Sequence, residues 1–204
     1  MEIYLRKKNK KKYLLVLYFT LTTFLTFSQA IFTSTKDGIW NDNGIDTPWT
    51  ITGSDSDGIP DFNDHVIINH LISTPSAVCA SKDLTINLTG ELALNSSGQL
   101  NIYGDVNVSG ILSSVSNSSI IDILGNVTIS GSGTITSAIT LYVEYQKLTI
   151  NTDLVVDGPI YLRAGGDIYL NNSQSLTINF SITSNSSVSQ LINYGNLIVN
   201  SSNF

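Results

Sequence analysis

The densest set of hard oxygen donors in the sequence is Asp55-Ser56-Asp57-Gly58-Ile59-Pro60-Asp61-Phe62-Asn63-Asp64. Alternate carboxylates around a tight glycine turn are what a calcium ion, which takes six to eight oxygens, requires. Laid on the twelve-residue calcium loop, Asp55, Asp57, Gly58, Asp61 and Asp64 fall at its third, fifth, sixth, ninth and twelfth positions, and Ile59 offers its carbonyl at the seventh. Gly53 stands first, where the loop normally has Asp, and the twelfth residue is Asp rather than a bidentate Glu. The expected ligand set is therefore Asp55, Asp57, Ile59, Asp61 and Asp64 holding Ca2+ at extracellular, millimolar-range affinity. The competing reading is a series of aspartate turns leading into the strand Val66-Ile67-Ile68, with Asp64 bonding backbone.

Other chemistry-bearing residues are sparser. His65 and His70 flank that strand, and their odd separation sends them to opposite faces, so both are expected at the surface. Cys79 is the only cysteine and sits in Ala77-Val78-Cys79-Ala80, where a small core residue is expected. Hydrolysis or elimination on a polysaccharide requires grouped carboxylates or a base on one face. The candidates are Glu91, Asp105, Asp122, Glu144, Asp153, Asp157 and Asp167, with Lys147 and Arg163. Their recurrent spacing puts Asp105, Asn126, Lys147 and Asp167 in one ladder, which reads as a site or, more plainly, as a solvated corner. Tyr103, Tyr142, Tyr145, Tyr161 and Tyr169 form a set able to stack on sugar rings or to pack. No catalytic constellation stands out, so no enzyme activity is expected.

The elements carrying these residues are strands. From Leu84 onward, segments such as Leu84-Thr85-Ile86, Leu100-Asn101-Ile102, Val127-Thr128-Ile129 and Leu176-Thr177-Ile178 alternate apolar and small polar residues, bounded by Gly, Asn or Ser. They also recur. Gly104-Asp105-Val106-Asn107-Val108-Ser109 matches Gly125-Asn126-Val127-Thr128-Ile129-Ser130, then Gln146–Asn151 and Gly166–Asn171, at steps of 21, 21 and 20. That period predicts an all-β fold, a right-handed parallel β-helix (β-solenoid) with about 20–22 residues per coil and an N-terminal capping segment. Like residues of successive coils stack, and Asn87, Asn151, Asn171, Asn179 and Asn200 mark corners. A β-sandwich is the alternative.

Residues 1–30 read as a secretion signal: Lys7, Lys8, Lys10, Lys11 and Lys12 precede the uncharged run Tyr13–Phe27 and the small-residue site Ser28-Gln29-Ala30. Residues 31–75 read as a Trp/Asp-rich cap and 76–204 as solenoid repeats. Without the signal, Lys36, Lys82, Lys147 and Arg163 face fifteen acids, a net charge of about −11. Such a surface has no electrostatic footprint for nucleic acid or an anionic membrane. One cysteine gives no internal disulfide, so packing or a metal must hold the exported domain together. The chain stops soon after a strand without a visible cap, which predicts either end-to-end association or continuation of the solenoid in a longer protein.

Gly38-Ile39-Trp40, Trp49, Asp55-Ser56-Asp57-Gly58-Ile59-Pro60-Asp61 and Asp64-His65-Val66-Ile67-Ile68 resemble the start of large surface proteins exported by Bacteroidetes, flavobacteria especially. The segment is similar to the G8 domain, a β-rich module with a Gly-x-Trp start, a later Trp and an Asp-x-Val-x-Ile strand. The resemblance covers about residues 36–110, and Asn69-His70 replaces the glycine usual after that strand. It implies a substrate of the type IX secretion system, secreted or held on the outer surface of a Gram-negative bacterium, although the sorting domain common in such proteins is not seen. The implied function is a non-enzymatic, adhesin-like or structural β-helix contacting extracellular glycan or matrix. The alternative is the N-terminal part of a carbohydrate-active β-helix enzyme, a lyase or hydrolase.

Overall fold

The computed structural model describes residues 29–116, 118–135 and 139–200. The proposed signal up to Ser28 and the final residues 201–204 lie outside the described residues. Among those described no helix forms, and the chain winds as a β-solenoid of about six turns, three strands to a turn. The first wall contains β1 (Ile31–Ser34), β4 (His65–Ile68), β7 (Asp83–Ile86), β10 (Val106–Val108), β13 (Val127–Ser130), β16 (Lys147–Ile150), β19 (Asp167–Leu170) and β22 (Leu191–Asn193). The second contains β2 (Gly38–Ile39), β5 (Leu71–Ser73), β8 (Glu91–Leu94), β11 (Ile111–Ser114) and β14 (Thr134–Ile135). A separate three-stranded sheet follows it in the later coils: β17 (Leu154–Val156), β20 (Ser175–Ile178) and β23 (Asn196–Val199). The third wall is β6 (Val78–Ser81), β9 (Gln99–Ile102), β12 (Ser119–Ile123), β15 (Ile139–Glu144), β18 (Ile160–Arg163) and β21 (Ile182–Ser184). Every pairing within these walls is parallel, which excludes the sandwich alternative.

Strict alternation fixes what each strand does. In the third wall Cys79, Leu100, Ile121, Leu141, Ile160 and Ile182 stack inward as one column, and Ser81, Ile102, Ile123, Val143 and Leu162 as another. Most of these apolar side chains are fully buried, so the core is a continuous apolar rod rather than a globule. Cys79 occupies its expected place in that rod. Burial pushes its thiol up to about 12, so it is not a nucleophile at ordinary pH.

The coils are uneven in length. In the first wall Val66 pairs with Leu84, and Leu84 with Val106 after a longer coil. Val106 then pairs with Ile129, not with Val127 as the repeating hexapeptides suggest. The extra length is taken up at the corner before β13, and every side chain keeps its inward or outward sense because the shift is even. Val127 instead starts a new column with Leu148, Ile168 and Leu191. Gly131, just after β13, fits tightly under the coil before: its φ is +107°, and a Cβ there would stand 2.0 Å from the Val108 carbonyl oxygen.

The segment expected as a cap contributes strands to the same walls, since β1 and β4 pair in parallel. Its remainder closes the end of the rod. β3 (Trp49–Thr52) runs antiparallel to β1, and Trp49 packs edge-on against both Phe32 and Trp40, with ring centroids 6.1 and 5.9 Å apart. Trp49 Nε1 donates to the Trp40 carbonyl at 2.9 Å and Trp40 Nε1 to the Pro60 carbonyl at 3.3 Å. The plug thereby ties the aspartate loop to the solenoid.

Leu148 is fully buried in a central coil, whereas its neighbour Thr149 points outward. Leu148→Ala is expected to cost about 2–5 kcal/mol in urea unfolding. Thr149→Ala is expected to stay within about 0.5 kcal/mol.

Candidate functional site

The aspartates of the 55–64 loop are turned onto the backbone. Asp55 Oδ2 accepts from the Asp57 and Gly58 amides, Asp57 Oδ1 from Ile59 at 2.9 Å, and Asp61 Oδ1 from Asn63 at 2.7 Å. These are Asx turns, each a side chain replacing a backbone carbonyl. Asp64 is only 3% exposed and uses both oxygens: Oδ1 accepts from Ala30 N at 3.2 Å and Oδ2 from Asp61 N at 2.9 Å. Burial, with Asp61 and Asp55 nearby, raises its pKa above the ordinary value although those two amides pull the other way. Among the described residues no three Asp, Glu, His or Cys side chains converge on one point as a cation shell. In this arrangement the carboxylates of the loop cap its own backbone amides.

The other expected carboxylates divide into two groups. Most cap corners. Asp105 Oδ1 accepts from Thr128 N, Asp153 Oδ1 from Ser175 N and Asp167 Oδ1 from Gln190 N, each at 2.8 Å. Asn126 Oδ1 does the same for Lys147 N at 3.2 Å. Three members of the expected ladder, Asp105, Asn126 and Asp167, are thus corner caps, each bonding the next coil. Asp157 receives Asn179, whose own Oδ1 receives Asn200 at 2.8 Å, and Glu91 receives the Ser113 hydroxyl at 2.8 Å. His65 and His70 are half-buried and bonded, Nε2 to the Thr85 hydroxyl at 3.2 Å and Nδ1 to the Ser34 carbonyl at 3.0 Å.

Asp122, Glu144 and Arg163 behave differently. They come together on the outer face of the third wall, because Asp122 pairs with Tyr142, Tyr142 with Tyr161, and Glu144 with Arg163. The Tyr142 and Tyr161 rings stack with centroids 5.1 Å apart, and the Arg163 guanidinium lies 3.6 Å from the Tyr142 ring centre. Asp122 is 9% exposed, and its buried Oδ1 has no hydrogen-bond partner. Desolvation raises its pKa, Glu144 adds to the rise and Arg163 opposes it. Lys147 belongs elsewhere, on the first wall, with its ammonium 5.0 Å from the Tyr169 ring centre.

A concave feature lies at the corner where the third wall meets the first. A cleft of about 640 Å³ is lined by Phe62, Tyr103, Lys82, Asp55, Asp61 and the edge of Asp64. Phe62 is 53% and Tyr103 37% exposed, and their rings sit 5.8 Å apart at a tilt of 55°. Tyr103 belongs to the expected tyrosine set. Phe62 and Lys82 were not among the expected candidates, although an aromatic residue amid the loop's aspartates is the signal that could have marked Phe62. A separate apolar void of about 40 Å³ lies inside the rod, bordered by Ile135 and Val156; it is a packing gap beside the two-residue strand β14.

No protein family, curated protein or solved structure matches this chain. The functional reading therefore rests on geometry. Exposed aromatic rings beside carboxylates and cations on a rigid wall suit a ligand with apolar faces and many hydroxyls.

Asp64→Ala is expected to destabilise the fold by about 1–3 kcal/mol, since two amides lose their acceptor. The loss should be the same in calcium and in chelator, read from urea midpoints. Asp122 binds its proton more tightly folded than unfolded, so the stability it contributes is present at low pH and lost as pH rises through its raised folded value. The stability of Asp122→Asn relative to wild type should therefore improve from about pH 3 to about pH 7 in paired melts.

Proposed function

We propose that this chain is an exported β-solenoid that acts by binding, contacting extracellular glycan through the aromatic cleft at its cap and the tyrosine face beside it. The observation that carries the reading is the Phe62–Tyr103 pair, two exposed rings in a ligand-sized cleft beside Lys82, Asp55 and Asp61. Exposed aromatics are costly to leave in water without a partner, and a sugar ring offers one face to the π-system and hydroxyls to the flanking charges. Export follows from the basic–apolar–small order of residues 1–30, and an acidic surface suits an extracellular setting. Ala30 is fully buried, its N–H bonds Asp64 and its carbonyl accepts from His65 N at 2.9 Å. The reading accordingly puts removal of the leader upstream of Ala30, not after it. The resemblance to flavobacterial surface proteins supports a place on, or release from, an outer cell surface.

One observation favours a second, enzymatic reading. Asp122 is a buried carboxylate with an unpartnered oxygen, one coil from Glu144, and two carboxyls whose surroundings differ are the usual acid–base pair of glycoside hydrolysis. Turnover separates the two readings: binding without release of reducing ends supports the first.

In glycan-array binding with purified protein, Phe62→Ala and Tyr103→Ala should each weaken retained glycans roughly tenfold, in line with loss of about 1–1.5 kcal/mol of aromatic contact. Unchanged binding by both variants would contradict the placement of the site.

A further inference from the structure

Resting on the glycan reading above, we infer that the cap cleft and the tyrosine face are two ends of one track, and that the ligand is a linear, uncharged polysaccharide lying parallel to the solenoid axis. Register places them together. Tyr103 follows the last residue of β9, Glu144 ends β15 and Arg163 ends β18, and all stand one residue beyond the inward column Ile102, Ile123, Val143 and Leu162. They therefore share one edge of the third wall, with Asp122, Tyr142 and Tyr161 in the next outward row.

Coils repeat at about 4.8 Å, so Tyr103 and Tyr161, three coils apart, are separated by about 14 Å along the axis, and Phe62 extends the track by about one coil more. A single sugar ring cannot reach both aromatic pairs; an extended chain can. In the coil between them stand Leu124, half-buried, and Asp122 in the outward row.

Charge selects the class of chain. Asp55, Asp61, Asp122 and Glu144 line or border the track against Lys82 and Arg163 alone, and Arg163 is laid on the Tyr142 ring. A polyuronate or sulfated chain would meet like charge along its length, whereas a neutral chain donates its hydroxyls to the carboxylates.

The test is calorimetric titration of the full secreted protein with neutral oligosaccharides of two to six units cut from glucan, xylan and mannan, beside oligogalacturonates of the same lengths. Affinity for the retained neutral series should rise at least tenfold from dimer to hexamer. Tyr103→Ala and Tyr161→Ala should each lower hexamer affinity severalfold, and Tyr103→Phe and Tyr161→Phe, which keep ring and fold, should retain it. Affinity that stops growing at the dimer, dependence on only one of the two tyrosines, or tighter binding of the galacturonates would overturn the track while leaving the glycan reading in place. Binding of no oligosaccharide at all would overturn both.

Discussion

The rest of the structure depends on parallel backbone pairing between coils, in which a strand can shift by an even number of positions but not by an odd one. A slip of one position would turn Leu148 and Ile150 to solvent and bring Thr149 into the rod. An even slip preserves the rod, and the chain uses one between β10 and β13, where Val106 meets Ile129 rather than Val127. The uneven lengths of the remaining coils are absorbed at corners, where Gly and Asn tolerate turn geometry and the backbone is free of the ladder. Wall positions are therefore rigid and repeat by backbone geometry, and their outward side chains are the part left open to variation.

Corner chemistry explains most of the acidity. Asp105, Asp153 and Asp167 each hold an amide of the next coil, and Asn126 does so without charge, so the requirement is for a short side-chain oxygen and not for a carboxylate as such. Asp64 performs the same service at the capped end, joining Ala30 to the loop that carries Phe62. A separate group stands on the third wall and in the neighbouring cleft. Asp122 stands out within it, because a buried carboxylate with an unpartnered oxygen opposes folding at neutral pH.

Much of the architecture was legible in the sequence, since alternation gives strands and a regular recurrence of them gives coils whatever the details of the turns. Cys79 and the corner asparagines lie where pattern places them, with Asn87, Asn171, Asn179 and Asn200 each donating to a side-chain oxygen of the coil before. The lengthened coil before β13 was not legible. The hexapeptides starting at Gly104 and Gly125 look like stacked neighbours, and only backbone pairing shows that Val106 meets Ile129. The site was half legible for the same reason. Tyr142, Tyr161, Asp122, Glu144 and Arg163 were all candidates, but which of the charged candidates share a face depends on register, and Phe62 enters through a loop that has no repeat to follow.

Oxidative cross-linking of paired cysteines tests that register most directly, in a background with Cys79 replaced by Ala. Asn107 and Ser130 face each other on the outer surface of the first wall, while Thr128 stands one outward position earlier in β13. The account predicts rapid disulfide formation in the Asn107→Cys/Ser130→Cys protein and none in Asn107→Cys/Thr128→Cys, because neighbouring Cα atoms at about 5 Å permit the bond and those beyond about 7 Å do not. The reverse pattern would restore the uniform coil of the sequence repeats and contradict the even shift between β10 and β13.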